Sequence, residues 1–273
     1  MDRLSQYQSK GHDDDTVKVL RALLQHLPED AKKNLVCTIG NPSITDDQLN
    51  KLPTSLAAGL LYALKNLRSW VLLEEKGDTK NSRLGRDDDK CLFTGRQDSH
   101  DIDENESQHC SLELARIWTV PSSGWVMGVD RESTICTYSL VHGKLWYSLD
   151  YCFPSLGSHI DNCTITDLTN SLTFDTKLSN LFNSFGLGLE ATEARNTYFI
   201  RLYIPSYEVL ALKPYLRGGI ITFNDFGPCT PSAALIAIHA AIRRILSVTG
   251  KGDKFEMLRC RMEVFLAQLE EQD

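Results

Sequence analysis

Leu112-Glu113-Leu114-Ala115-Arg116-Ile117-Trp118-Thr119-Val120 opens the series of short apolar bursts that decides the fold class. Further bursts follow at Gly124–Val129, Thr134–Val141, Lys144–Phe153, Ser171–Phe174, Thr197–Ile204 and Ile220–Phe223. Their lengths, and period-two stretches such as Thr134-Ile135-Cys136-Thr137-Tyr138, predict strands with one face buried. His142-Gly143 reads as a hairpin turn between two of them.

Helical patterns lie on both sides. Val17, Leu20, Leu23, Leu24 and Leu27 recur at three and four between Asp14 and Leu27, which predicts an amphipathic helix; residues 1–13 are polar and expected to fray. Thr45-Asp46-Asp47-Gln48 is a capping-box pattern. Pro53 is expected to break or restart the helix that follows, with Leu56, Leu60, Leu61, Leu64, Leu67 and Val71 as its stripe. Ser232–Gly250 predicts a helix stopped by its glycine, and Phe255, Leu258, Met262, Phe265, Leu266 and Leu269 continue at helical spacing. The expected class is α+β: an N-terminal helical region over 1–85, then a domain over 86–273 with strands at its centre and helices at its end.

The chain has 273 residues, 42% hydrophobic and 24% charged, the profile of a globular protein. No apolar run reaches the roughly 18 residues of a membrane span. The first 20 residues hold no signal-peptide core, so the expected location is cytoplasmic and the eight cysteines are read as reduced thiols. A net charge of −7 argues against a nucleic-acid partner, because phosphate neutralisation leaves a basic footprint. Arg243 and Arg244, beside Lys251 and Lys254, read as a solvated helix end, and His239 as a core histidine. The stretch 75–110 is polar; its first part reads as a linker, and its acid-rich part, with His100 and His109, as a solvated loop that could also offer oxygen and imidazole to a divalent metal.

Five segments, in order, carry a resemblance: RDDDKCLFTGR (86–96), LELARIWTVPSSG (112–124), TNSLTFDTKLSNLFNSFGLGLE (169–190), NTYFIRLY (196–203) and IHAAIRRILSVTGKGDKFE (238–256). The series resembles the HNH-nuclease-like proteins of filamentous fungi, with their Cys-x-x-Thr-Gly opening, an Ala-His-Ile strand, an Asn-x-Leu-Thr segment and a Leu-His-x-Leu-Phe-Asp helix. The resemblance implies a ββα centre of two strands and one helix that grips a metal. It also implies a strand histidine as general base, an asparagine that orients it and a helix histidine on the metal.

In this chain the family's Ala-His-Ile falls on Ala115-Arg116-Ile117, its asparagine on Asn170, its helix histidine on Ser179 and its aspartate on Asn183. A guanidinium stays protonated and offers no lone pair, so Arg116 can serve neither as base nor as metal ligand. Ser179 is a weak neutral ligand, and Asn183 has lost the carboxylate. The expected function is therefore a nuclease-inactive HNH-like protein whose former metal cleft binds a small hydrophobic organic substrate. It would convert this substrate as a cyclase or isomerase of fungal secondary metabolism, with no metal and no cofactor. Arg116, Asn170, His142 and His159 are the candidate catalytic residues. Trp118, Trp125, Trp146, Tyr147, Ser179 and Asn183 are the candidate substrate contacts. The alternatives are a metal-dependent endonuclease using the acidic insert, and a non-catalytic binding or regulatory module in which Arg116 pairs with Glu113 or Asp175. Association through the N-terminal helices is a further expectation.

Overall fold

The structure, a computed structural model, describes residues 3–65, 86–98, 109–117, 147–148, 150–154, 168–212, 216, 218–225 and 229–250. It is α+β, with helices and small sheets that are mostly antiparallel. Two compact units form: 1–66 with 121–161 and 241–273, and 67–120 with 162–240. None of the described helices is long and apolar enough to cross a membrane.

The first unit is helical. It contains α1 (Arg3–Gln6), α2 (Thr16–His26), α3 (Glu29–Gly40) and α4 (Asp46–Lys65). Val19, Leu20 and Leu23 of α2 are buried with Ala31, Leu35 and Ile39 of α3 and with Leu49 and Leu56 of α4. Each such large side chain contributes roughly 1.5–3 kcal/mol by leaving water. The buried stripe of α2 is rotated from the expected one: Val19 and Ala22 are inside, while Val17 and Leu24 are only half-buried. The reason is that α2 packs against both α3 and α4, so its apolar face is wider than a single seam.

Several residues of the segment expected to fray are held in place. Leu4 is buried, Arg3 pairs with Asp46, and the Asp14 carboxylate accepts from the Tyr7 hydroxyl at 2.7 Å, Lys10 N at 2.7 Å and Thr16 N at 3.0 Å. Burial alone would raise the Asp14 pKa. The Thr16, Lys10 and Tyr7 hydrogen bonds outweigh it and hold the carboxyl well below the usual carboxylate range.

The capping box at Thr45 forms in both directions, Gln48 N to Thr45 Oγ1 at 3.2 Å and Thr45 N to Gln48 Oε1 at 2.9 Å. Contrary to expectation, α4 runs through Pro53. Pro53 forfeits one backbone bond, and buried Leu49 and Leu56 on either side hold the helix across it. Residues 147, 148 and 150–152, expected as strand, are helical. This winding sets Tyr147 and Tyr151 one turn apart with ring centroids at 6.0 Å, and lets the Tyr151 hydroxyl meet Thr38 Oγ1 at 2.6 Å.

The second unit holds β1 (Gln97–Asp98) paired in parallel with β2 (His109–Cys110), and β3 (Leu112–Arg116) antiparallel to β4 (Ser171–Asp175). Next come α5 (Thr176–Asn183) and a three-stranded antiparallel sheet of β5 (Leu187–Ala191), β6 (Thr197–Leu202) and β7 (Ile220–Thr222). Helix α6 (Ser206–Leu212) lies between the last two strands in sequence, and α7 (Ala233–Thr249) closes the described chain. Its first eight residues belong to this unit and the rest to the first. Gly250 ends α7 at φ 68°, and Lys18 Nζ reaches the Thr249 carbonyl at 3.3 Å, a cation at a helix C-terminus. Arg243, expected in solvent, is buried on this helix.

An aromatic column forms the core of the second unit. Phe174 lies 4.7 Å from Phe93 and 5.2 Å from Phe182, while the His239 ring stacks on Phe182 at 4.0 Å and on Phe185 at 4.8 Å. His239 Nε2 sits 3.3 Å from the Phe182 carbonyl, as befits a core histidine. Phe185 adopts φ 59° one residue after the cap of α5, and Gly186 N bonds to Leu181 O at 2.7 Å, so α5 ends in a Schellman motif without glycine at its left-handed position. The glycine falls one place later because a Cβ at Gly186 would sit 3.0 Å from Ile204 and Leu181 side-chain atoms.

Candidate functional site

β3, β4 and α5 make a strand–strand–helix unit. The register runs from Leu112↔Asp175 at one end to Arg116↔Ser171 at the other, and Ile117 N extends it to Asn170 O at 3.0 Å. The chain turns from β4 straight into α5 at Asp175, whose carboxylate caps the helix by accepting from Lys177 N at 2.9 Å. Helix α5 packs on both strands.

Arg116 and Asn170 are thus brought to the same end of the strand pair. Arg116 is half-buried; Asn170 closes a 3-10 turn, Leu168–Asn170, and is fully buried. Ser179 is buried in the middle of α5, and Asn183 Nδ2 donates to its Oγ at 3.4 Å. Asn170 and Ser179 are therefore enclosed, while Arg116 keeps part of its surface open. Tyr147, expected to line the former metal cleft, is 66% exposed and belongs to the first unit. His142, His159, Trp118, Trp125, Trp146 and His100 lie outside the described residues. Asp175, offered as a partner for Arg116, sits at the other end of the strand pair and pairs with Arg96 at 3.7 Å.

The Arg86-Asp87 pair at the edge of the expected linker is instead the most enclosed ionic feature of the described residues. Both side chains are 2% exposed. Arg86 places all its donors: Nε and Nη2 on the two Asp87 oxygens at 2.8 and 2.6 Å, Nη1 on Leu168 O at 2.7 Å and Cys229 O at 3.3 Å, and Nη2 also on Ser171 O at 3.0 Å. Thr173 Oγ1 donates to Asp87. A planar guanidinium suits this bidentate fork. It ties the carbonyls on either side of Asn170 to the 86–87 segment and so fixes the Arg116 end of the unit.

After Asp87 the chain reverses through a turn in which Lys90 N bonds to Asp87 O at 3.1 Å, with Asp88 and Asp89 at φ 54° and 53°. The Cys91–Arg96 loop follows, closed by Cys91 N to Arg96 O at 2.8 Å and turned at Gly95, φ 66°. Cys91 is buried, and its Sγ accepts Asp175 N at 3.2 Å, so this loop is seated against the start of α5.

A cavity of about 1030 Å³ opens at this other end of the unit. Leu178 and Leu181 of α5 face it with Leu212 of α6, and the alcohols of Thr94, Ser111 and Thr176 add neutral polar groups. Its charged groups are Arg96, Lys177, Glu113, Asp175 and Glu208. Cys110 also lines it; burial, reinforced by the Asp175 carboxylate and Cys91, pushes the thiol up to about 12, so it stays protonated at neutral pH. Arg116, Asn170, Ser179 and Asn183 are not on its wall. Four strand steps separate Leu112 from Arg116, roughly 13 Å. The sequence held one signal for this site, the Asp175–Lys177 cap at a strand-to-helix switch. The Glu208 and Leu212 side of the cavity comes from α6, which the sequence reading passed over.

Among the described residues no three histidine, cysteine, aspartate or glutamate side chains are grouped to hold a metal ion. Compared with known protein families, characterised proteins and solved structures, the chain has no match.

Proposed function

We propose that the chain is a small-molecule-binding protein built on an HNH-like strand–strand–helix unit and without nucleolytic chemistry. The observation that carries this reading is the cavity of about 1030 Å³ at the Asp175 end, where three leucines give an apolar surface and charged and alcohol side chains can orient a ligand. The succession β3, β4, α5 supports the HNH-like part of the reading. At the positions where that resemblance asks for a base and a metal ligand stand a guanidinium, which has no lone pair, and a buried serine hydroxyl engaged by Asn183.

The reading stops at binding rather than turnover. What the cavity offers in this reading is room and a polar rim; its Cys110 thiol, pushed up to about 12 by burial, stays protonated and supplies no base. The test has two arms on the full chain. Ligand-observed NMR against a panel of small organic molecules is expected to find binders whose signals disappear in Leu212→Trp, which fills the cavity from α6. Incubation of DNA with the protein and Mg²⁺, Mn²⁺ or Zn²⁺ is expected to leave the DNA intact. Metal-dependent cleavage that is lost in Asn170→Ala would overturn the reading.

A further inference from the structure

The charges of the described residues around the cavity do not balance. Arg96 and Asp175 neutralise each other at 3.7 Å, with their side chains 26% and 15% exposed, and together form a polar floor at the start of α5. Among the described residues, what remains is one cation, Lys177, against two carboxylates, Glu113 on β3 and Glu208 on α6. The one other titratable group among the described residues of the wall, Cys110, is a protonated thiol. Beside the cavity the Tyr207 hydroxyl donates to Glu208, which raises the Tyr207 pKa.

A ligand whose apolar body covers Leu178, Leu181 and Leu212 strips water from these rim groups. Lys177 can compensate one of the two glutamates; the other is left as a desolvated carboxylate unless the ligand brings the counter-charge. An anionic ligand would add a third uncompensated negative charge. A neutral one would leave the surplus where it is.

We infer that the cavity selects an amphipathic organic cation, an amine with an apolar body, whose ammonium group lies between Glu113 and Glu208 and whose chain lies on the three leucines. This rests on the cavity being the binding site proposed above, and adds the class of ligand. Because Glu113 is exposed and Glu208 half-buried, the preference is of the size of a solvent-screened ion pair, about three- to fivefold in affinity.

Octylamine, octanol and octanoate share one apolar body and differ in head-group charge, so their dissociation constants, measured by titration calorimetry on the full chain, separate the two claims. Octylamine is expected to bind about three- to fivefold more tightly than octanol, and octanoate more weakly than either. Glu113→Gln and Glu208→Gln, surface changes expected to leave Tm unchanged, should each shrink the amine's advantage, and Leu212→Trp should weaken all three compounds. Equal binding of the three, or a preference for octanoate, with Leu212→Trp still blocking them, would overturn the cation assignment while leaving the cavity as the site. Binding of none, or binding indifferent to Leu212→Trp, would overturn both.

Discussion

Replacing Arg86 by methionine removes the guanidinium that Asp87 faces at 2.6 and 2.8 Å while keeping most of the apolar stem. Among the described residues the carboxylate, 2% exposed, would then keep only the Thr173 hydroxyl, and the carbonyls of Leu168, Ser171 and Cys229 would lose a charged donor. Breaking one side of such a pair costs about 3–5 kcal/mol, because an uncompensated charge stays buried. For a chain of this size that is a fall in Tm of roughly 6–20 °C. Asp87→Asn is expected to cost less, since Arg86 retains its three carbonyl acceptors. The double variant Arg86→Met/Asp87→Asn should cost less than the two singles added together, by about 1–3 kcal/mol. Urea unfolding of the four proteins, followed by circular dichroism, completes the cycle. If Arg86→Met lowers stability by less than about 1 kcal/mol, or if the two changes simply add, the pair is not the buried, mutually dependent contact described here.

Three further outcomes are expected. Asp89→Gly should stabilise the second unit by about 0.5–1 kcal/mol in urea unfolding, because Asp89 is held at φ 53° in a turn that suits glycine; a loss of stability would refute the strain. Asp14 has a lowered pKa in the folded chain, so its contribution is fully present above the ordinary carboxylate value and is lost as pH falls below it. The stability advantage of the wild type over Asp14→Asn should therefore be flat from pH 7 to about pH 5 and shrink towards pH 2, and an advantage unchanged at pH 2 would contradict the hydrogen-bond account. Iodoacetamide at neutral pH should label exposed Cys37 while sparing Cys110 and Cys152, whose thiols burial pushes up to about 12; peptide mass mapping that finds Cys152 modified in the native protein would count against that burial.

Local chemistry was readable wherever it acts over a few residues. The Thr45–Gln48 capping box, the glycine stop at Gly250, the core role of His239 and the strands at 171, 197 and 220 all lie where the pattern placed them. β5 was not legible, because Leu187, Gly188 and Leu189 are all buried and a strand covered on both faces shows no alternation. The aromatic residues of 147–152 favour a strand by propensity. That preference yields to a helix in which Tyr151 reaches Thr38, more than 100 residues away in sequence. Arg86-Asp87 looked like part of a charged linker because nothing nearby in sequence announces the three carbonyls that enclose it.

Arg116 could be denied a base's role from its side chain alone, since a guanidinium has no lone pair in any environment. Where a ligand could fit was a different kind of question. Among the described residues a cavity lies at the Asp175 end of the strand pair, where Arg96 from a turn, Glu113 from a strand and Glu208 with Leu212 from a helix converge across more than 100 residues of chain. Periodicity, caps and the chemistry of single residues act along the chain and can be read from it. A cavity is space left between segments after they pack, and no one segment carries it.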